Sequence, residues 1–86
     1  MVAAEGEMEC WVYILKSLVV DRYYIGSTAD LDARLAFHNS PRARWTKRYQ
    51  PWELVHKEKH RTLGEALQRE RELKSRKNVR GFLGIR

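Results

Sequence analysis

The sequence predicts an α+β fold: a small antiparallel sheet covered by helices, in the order β-β-α-β-α-(α). Three observations carry that reading. The run Cys10–Lys16 (C-W-V-Y-I-L-K) is apolar at both phases of a two-residue period, as expected of a strand covered on both faces. A second β-rich stretch, Tyr23–Gly26, follows after a short turn and makes a hairpin with the first. Thr62-Leu63-Gly64-Glu65 has the form of a capping box, which starts a helix well downstream of the hairpin. A hairpin followed by alternating helix and strand packs as one sheet against helices.

The elements follow in order. The first strand spans Cys10–Lys16, Ser17–Arg22 turns the chain, and Tyr23–Gly26 is the second strand. Gly26 is expected to let the chain leave the sheet in a conformation other residues resist. Ser27, Thr28 and Asp30 compete as N-caps of the first helix, and Asp30 and Asp32 suit the positive end of its dipole. That helix runs to about His38 and stops at Asn39-Ser40-Pro41. An irregular basic segment, Pro41–Pro51, leads into a third strand at Trp52–Lys57. The second helix extends from Leu63 to about Ser75, and Val79–Ile85 forms a short final helix. Trp11, Leu15, Trp52 and Leu54 are the expected core, and His56 and His60 are expected to be exposed.

Eighty-six residues suffice for one domain, residues 10–86, preceded by a flexible acidic lead-in at residues 1–9. A chain of this length buries roughly 60% of its unfolded surface, so few interior positions can be given to polar groups. All 17 Lys and Arg follow Met8, whereas three of the 11 acids, Glu5, Glu7 and Glu9, lie in the lead-in. Thirteen of the bases fall between Arg42 and Arg80. A domain so basic attracts polyanions, above all nucleic acid, through counterion release; the plainer alternative is that the charge serves solubility. The single Cys10 excludes a disulfide framework and a cysteine-rich zinc site. No stretch approaches the roughly 20 apolar residues of a membrane span, and the N-terminus lacks the regions of a signal peptide. The expected setting is the cytoplasm.

Three polar groups sit where a helix would bury them. At about 100° per residue, Leu31, Arg34, Leu35 and His38 share one third of the first helix, so Arg34 and His38 point at or beside the sheet. On the second helix Leu63, Ala66, Leu67 and Leu73 form a stripe with Glu70 near its middle. A carboxylate there needs a cation, a metal or dense hydrogen bonding to offset desolvation. A structural ion pair with Lys74 or Arg34 and a functional site meet that need equally well. Trp45 and Tyr49 lie among the bases Arg42, Arg44, Lys47 and Arg48, where they could stack on nucleobases or close a loop. Zinc-binding, phosphate-loop and nucleophile-elbow motifs are absent, and Ser27 has no recognisable base partner.

The spacing of these residues resembles a known family. Trp11-Val12-Tyr13 and, further on, Tyr24-Ile25-Gly26 are similar to the paired tripeptides that name the GIY-YIG nucleases. The first keeps only its Tyr, while the second is intact. The similarity continues through Ser27-Thr28, Asp30-Leu31, Arg34-Leu35 and His38-Asn39, and resumes at Pro51-Trp52, Leu54-Val55, Glu65-Ala66-Leu67, Glu70 and Leu73-Lys74-Ser75. It covers nearly the whole chain after Glu9 and looks like the short single-domain branch.

The resemblance implies a three-stranded antiparallel sheet flanked by helices, with Tyr13, Tyr24, Arg34, His38 and Glu70 converging as catalytic residues. It implies a metal-dependent endonuclease cutting phosphodiester bonds, in DNA ahead of RNA. Glu70 would be the one protein ligand of a Mg²⁺ or Mn²⁺ ion that keeps several waters. Tyr13 would help activate water, aided by nearby positive charge because a free phenol has a pKa of about 10. Tyr24 would orient that water or bind a phosphate oxygen, Arg34 would hold phosphate oxygens, and His38 would bind phosphate or share the proton. Arg42, Arg44, Lys47, Arg48, Lys74 and Lys77 would hold the nucleic acid, and a separate targeting partner is conceivable for so small a domain. The alternative is a non-catalytic nucleic-acid-binding module with the same fold.

Overall fold

The computed structural model describes residues 9–76 and 78–84; the expectations for residues 1–8, Lys77 and Ile85 lie outside them. The elements are β1 (Cys10–Ser17), β2 (Tyr23–Thr28), α1 (Leu31–His38), a 3₁₀ turn (Trp45–Tyr49), β3 (Trp52–His60), α2 (Leu63–Ser75) and α3 (Val79–Leu83). The three strands form one sheet in the order β2-β1-β3, and both pairings are antiparallel.

Being central, β1 is covered on both faces, and its uninterrupted apolar run reflects that position. Cys10, Val12 and Ile14 point to one side, where they meet Ala66 and Leu73 of α2 and, further out, Val79, Phe82 and Leu83 of α3. Tyr13 and Leu15 point to the other side, packing with Trp52, Tyr24 and Leu54 of the flanking strands and with Leu31 and Leu35 of α1. The sheet therefore separates two small cores.

Local chemistry sets the helix starts. Asp30 caps α1 by accepting from the Ala33 N–H at 3.1 Å, and Thr62 caps α2 by accepting from the Glu65 N–H at 3.1 Å. Asn78 does the same for α3 through the Gly81 N–H at 2.9 Å. Gly84, with φ +78°, ends α3 in the left-handed conformation that glycine adopts without steric cost.

The segment between α1 and β3 is pinned at both ends. The Asn39 side chain donates to the Trp52 carbonyl at 3.0 Å and accepts from the Trp52 N–H at 2.6 Å, copying a strand pairing. The Gln50 amide donates to the carbonyls of His38 at 2.9 Å and Ser40 at 2.7 Å.

Several expectations need correction. β2 continues to Thr28 and β3 to His60, past the predicted ends at Gly26 and Lys57. Gly26 does not release the chain from the sheet: it is a paired strand residue without positive φ. The apolar stripe of α2 is turned so that Ala66 and Leu73 are buried while Leu63 and Leu67 are exposed. Glu70 therefore lies at the edge of the buried face and not at its middle. Trp11 is only partly covered and is not among the buried core residues. His56 and His60 are half-buried, each against the Glu58 carboxylate at 2.8 and 3.3 Å.

The rotation of α2 has a measurable consequence. Leu73→Ala should cost about 2–5 kcal/mol by leaving a cavity under α2, and Leu63→Ala should stay within about 0.5 kcal/mol because that side chain faces solvent. Urea unfolding of the two variants compares them directly.

Candidate active site

The site is built around a gap in β2. Tyr13 on β1 lies directly opposite Gly26, and Tyr24 shares that face two residues earlier on β2. A Cβ at position 26 would stand 2.6 Å from the Tyr13 hydroxyl oxygen, 2.9 Å from Tyr13 Cζ and 3.0 Å from Tyr24 Cε1. Glycine is required here for close approach, so that the phenol of Tyr13 can lie across the neighbouring strand. The two rings stack with centroids 6.2 Å apart.

The last turn of α1 supplies His38, which is 3% exposed. Its Nε2 lies 3.1 Å from the Tyr13 hydroxyl, its Nδ1 lies 3.3 Å from Thr46 Oγ1, and its ring centroid is 4.5 Å from that of Tyr24. Thr46 is itself fixed, its carbonyl accepting from Trp52 Nε1 at 2.9 Å. A neutral imidazole protonated on Nδ1 satisfies the whole chain: Nδ1–H donates to Thr46 and Nε2 accepts from the Tyr13 O–H.

The electrostatics favour that neutral pair. Burial, reinforced by Tyr24 and Glu70, raises the Tyr13 phenol well above its ordinary value; Arg34 pulls the other way and is outweighed. Burial, with Arg34 adding to it, lowers the His38 imidazole below 6.5. The positive charge expected beside Tyr13 is present as Arg34, yet it does not bring the phenol down.

Arg34 is exposed at the rim of α1, with its guanidinium carbon 5.7 Å from the Phe37 ring centre. Together with Tyr24, His38, Arg42, Arg44 and Trp45 it lines an open cleft of about 410 Å³. Trp45 is 53% exposed there. Lys47 and Arg48 sit exposed on the 3₁₀ turn outside that lining.

Glu70 arrives from the opposite face of the sheet. Its Oε1 accepts from Ser27 Oγ at 2.7 Å and its Oε2 from Lys74 Nζ at 2.6 Å. Burial alone would raise this carboxyl, but the hydrogen bonds from Lys74 and Ser27, helped by the charges of Lys74 and Arg71, hold it below its ordinary value. Glu70 is thus an anion near neutrality. It is near enough to Tyr13 for its charge to act on the phenol.

The structure brings Tyr13, Tyr24, Arg34 and His38 together on one face and sets Glu70 across the β2 edge from them. Of the expected nucleic-acid contacts, Arg42 and Arg44 join the cleft, whereas Lys74 is engaged by Glu70. Sequence reasoning missed Ser27, Thr46 and the spatial role of Gly26. Ser27 and Gly26 lie within the Tyr24-Ile25-Gly26-Ser27 run and had a signal, whereas Thr46 sits in an irregular stretch and had none.

Residues 9–82 match the family model of the GIY-YIG catalytic domain. The chain belongs to the GIY-YIG family. That family is one of nucleases, acts on nucleic acid and generally depends on divalent metal ions. Among similar proteins, a UPF0213 protein of Staphylococcus epidermidis is 43% identical over 53 residues, or 60% of this chain and 65% of the relative. UPF0213 proteins of Staphylococcus haemolyticus and Natronomonas pharaonis are each 38% identical over 66 residues. Those matches cover 76% of this chain, with 79% and 76% of the two relatives. The chain thus spans just under two thirds of the S. epidermidis relative's length. No solved structure matches the chain. Among the described residues of this GIY-YIG domain, no helix is long and apolar enough to cross a membrane.

Two titrations should separate in stability measurements. His38 has a folded pKa below its unfolded value of 6.5, so the unfolded chain binds more protons below that pH. Its contribution is complete above pH 6.5 and declines as pH falls through it. Glu58, drawn down to about 2 by its bidentate bond with Arg69 and by His56 and His60, loses its contribution only as pH falls below 4.5. Urea unfolding across pH should show both declines, and His38→Gln should remove the first while sparing the second. A pH 6.5 decline that survives in His38→Gln would contradict this assignment.

Proposed function

We propose that this chain is a metal-dependent endonuclease that hydrolyses phosphodiester bonds in nucleic acid, with DNA preferred to RNA, and that it works in the cytoplasm. The observation that carries the reading is the junction at Gly26-Ser27. One residue admits the Tyr13–His38 pair from one face, and the next holds an ionised Glu70 from the other.

The donor set suits a hard divalent cation. Among the described residues no three His, Cys, Asp or Glu side chains group for a metal, and the ionised carboxylate near Tyr13 is that of Glu70. Mg²⁺ and Mn²⁺ tolerate one carboxylate with water filling the remaining positions. When bound, the ion would stabilise charge developing on the phosphate and leaving oxygen.

The chain's own groups account for the remaining chemistry. Arg34, at the mouth of the cleft, holds the non-bridging oxygens as their charge builds. Tyr24 orients the attacking water against the phosphorus. Tyr13 takes the proton of that water while passing its own to His38 Nε2, because a phenol raised by burial cannot serve as a standing phenolate. The water oxygen bonds to phosphorus as the bond to the leaving oxygen breaks; the leaving oxygen takes a proton from solvent, and His38 later gives its proton to solvent through the cleft that it lines. Arg42, Arg44 and the exposed Trp45 line the strand's path beside the scissile phosphate, with Lys47 and Arg48 further out.

One contact favours a second reading, a non-catalytic nucleic-acid-binding module: Glu70, the expected metal ligand, accepts from Lys74 through Oε2. Lys74 has 54% of its side chain exposed and Glu70 17%, so solvent screens the pair from the lysine side and weakens it. The pair yields readily to a divalent ion, so the nuclease reading is preferred.

Plasmid, branched DNA, single strands and RNA incubated with Mg²⁺ and with EDTA distinguish the two. EDTA-sensitive cutting supports the nuclease, and salt-sensitive binding without cutting supports the module. Glu70→Gln should abolish cutting while preserving the circular dichroism spectrum; full activity in a folded Glu70→Gln protein would remove the metal role. Arg34→Ala should reduce turnover by on the order of 10² through loss of one transition-state donor, measured at saturating substrate.

A further inference from the structure

The face of the sheet that carries the tyrosines extends beyond the reach of α1. In register, Gly26, Tyr13 and Lys57 form one row across β2, β1 and β3, and Thr28, Trp11 and Lys59 form the next. Residues directly opposite in an antiparallel pair share a face, as do residues two apart along a strand. Trp11 and Lys59 therefore lie on the Tyr13 face. Lys57 stands directly across from Tyr13 itself.

α1 packs at the other end of this face, where its Leu31 and Leu35 meet the cluster of Tyr13, Leu15 and Trp52; Trp11 is outside that cluster. Both lysines are exposed. Their Nζ atoms lie 5.4 and 5.9 Å from the centre of the half-exposed Trp11 ring. The ring attracts each cation through its quadrupole, and so gathers two like charges on one small surface. The acidic neighbour there is Glu9, 2.6 Å from Lys59 and itself largely in solvent.

We propose that Trp11, Lys57 and Lys59 form a second nucleic-acid-holding surface, which grips the strand's phosphates beyond the tyrosines on the side away from the Arg42–Arg44 cleft. The inference rests on the nuclease reading of the Tyr13 site. Charge complementarity selects the occupant: two clustered ammonium groups with, among the described residues, the one exposed competitor Glu9 suit a phosphodiester backbone. Continuity places it, because successive rows are about 6.8 Å apart, the axial rise of about two nucleotides along one strand. A strand whose scissile phosphate lies at Tyr13 and Arg34 would pass over Trp11 within a few nucleotides. Lysines on an edge strand such as β3 also discourage pairing with other chains, and that role alone predicts no effect on nucleic-acid affinity.

The test uses the full chain with Lys57→Ala/Lys59→Ala, and Lys57→Arg/Lys59→Arg as the charge-preserving variant. Fluorescence anisotropy follows binding of a labelled duplex oligonucleotide in EDTA across a salt series. The alanine variant should bind roughly tenfold more weakly, with a salt slope smaller by about one per lysine. The arginine variant should restore both. In Mg²⁺ the alanine variant should raise KM and leave kcat within about twofold, as loss of uniform binding requires.

Unchanged affinity and slope in a folded alanine variant would overturn the proposal while leaving the nuclease reading intact. Binding that depends on the lysines, without any cutting by the wild-type chain, would keep this surface and overturn the nuclease reading. A wild-type chain that binds no oligonucleotide overturns both. Lysine-dependent binding of polyglutamate in preference to the duplex would assign the patch to an acidic protein segment and overturn the proposal.

Discussion

Tyr13 lies on the central strand with 2% of its surface exposed, and its buried hydroxyl is held there by His38 Nε2 at 3.1 Å. An unpaired buried hydroxyl costs about 1–3 kcal/mol, so this contact fixes more than chemistry. It sets how far α1 must reach over the sheet, because His38 is the last residue of that helix. It also requires Thr46 to stand behind the imidazole, which draws the 3₁₀ turn against the same face. The phenol, the imidazole and the threonine form one buried polar chain between two strands, a helix and a loop. The same burial that makes the chain obligatory keeps it uncharged.

Glu70 answers a different demand. It belongs to the helix on the other side of the sheet, and a continuous sheet would keep it apart from the tyrosines. Consecutive strand residues point to opposite faces, so Gly26 and Ser27 open toward the two sides in turn. Among the described residues β2 is an edge strand with no neighbour beyond it. The absent side chain at Gly26 and the short hydroxyl of Ser27 bring the two halves within electrostatic range around that edge. Placed on the inner strand, the same pair of residues would be screened by a neighbour on each side.

The order of elements was legible because each boundary has a local cause: a capping threonine, an aspartate at the first helix start, an apolar run on the doubly covered strand. The misplaced charge of Glu70 and the position of His38 were also legible, since helical periodicity states which residues share a side. Periodicity does not state how far a helix is rotated against its sheet. Leu63 and Leu67 belong to the α2 stripe by spacing yet face water, while Glu70 sits at the margin. Trp11 read as core by composition, but whether a helix reaches that row depends on the length of α1. The contact of Gly26 with the Tyr13 hydroxyl depends on strand register and a ring's reach, neither of which one sequence displays.

The bidentate pairing of the Asn39 side chain with Trp52, with Gln50 clasping the end of α1, makes the intervening stretch a cassette. Its two attachment points hold each other, so its exposed positions can change in composition without shifting the helix end that bears His38, provided that Thr46 keeps its place behind the imidazole. Arg42, Arg44 and Trp45, the proposed nucleic-acid contacts, reside within that cassette, whereas Tyr13, Tyr24, Arg34, His38 and Glu70 reside outside it. On the proposed function, substrate preference can therefore drift while the chemistry stays put.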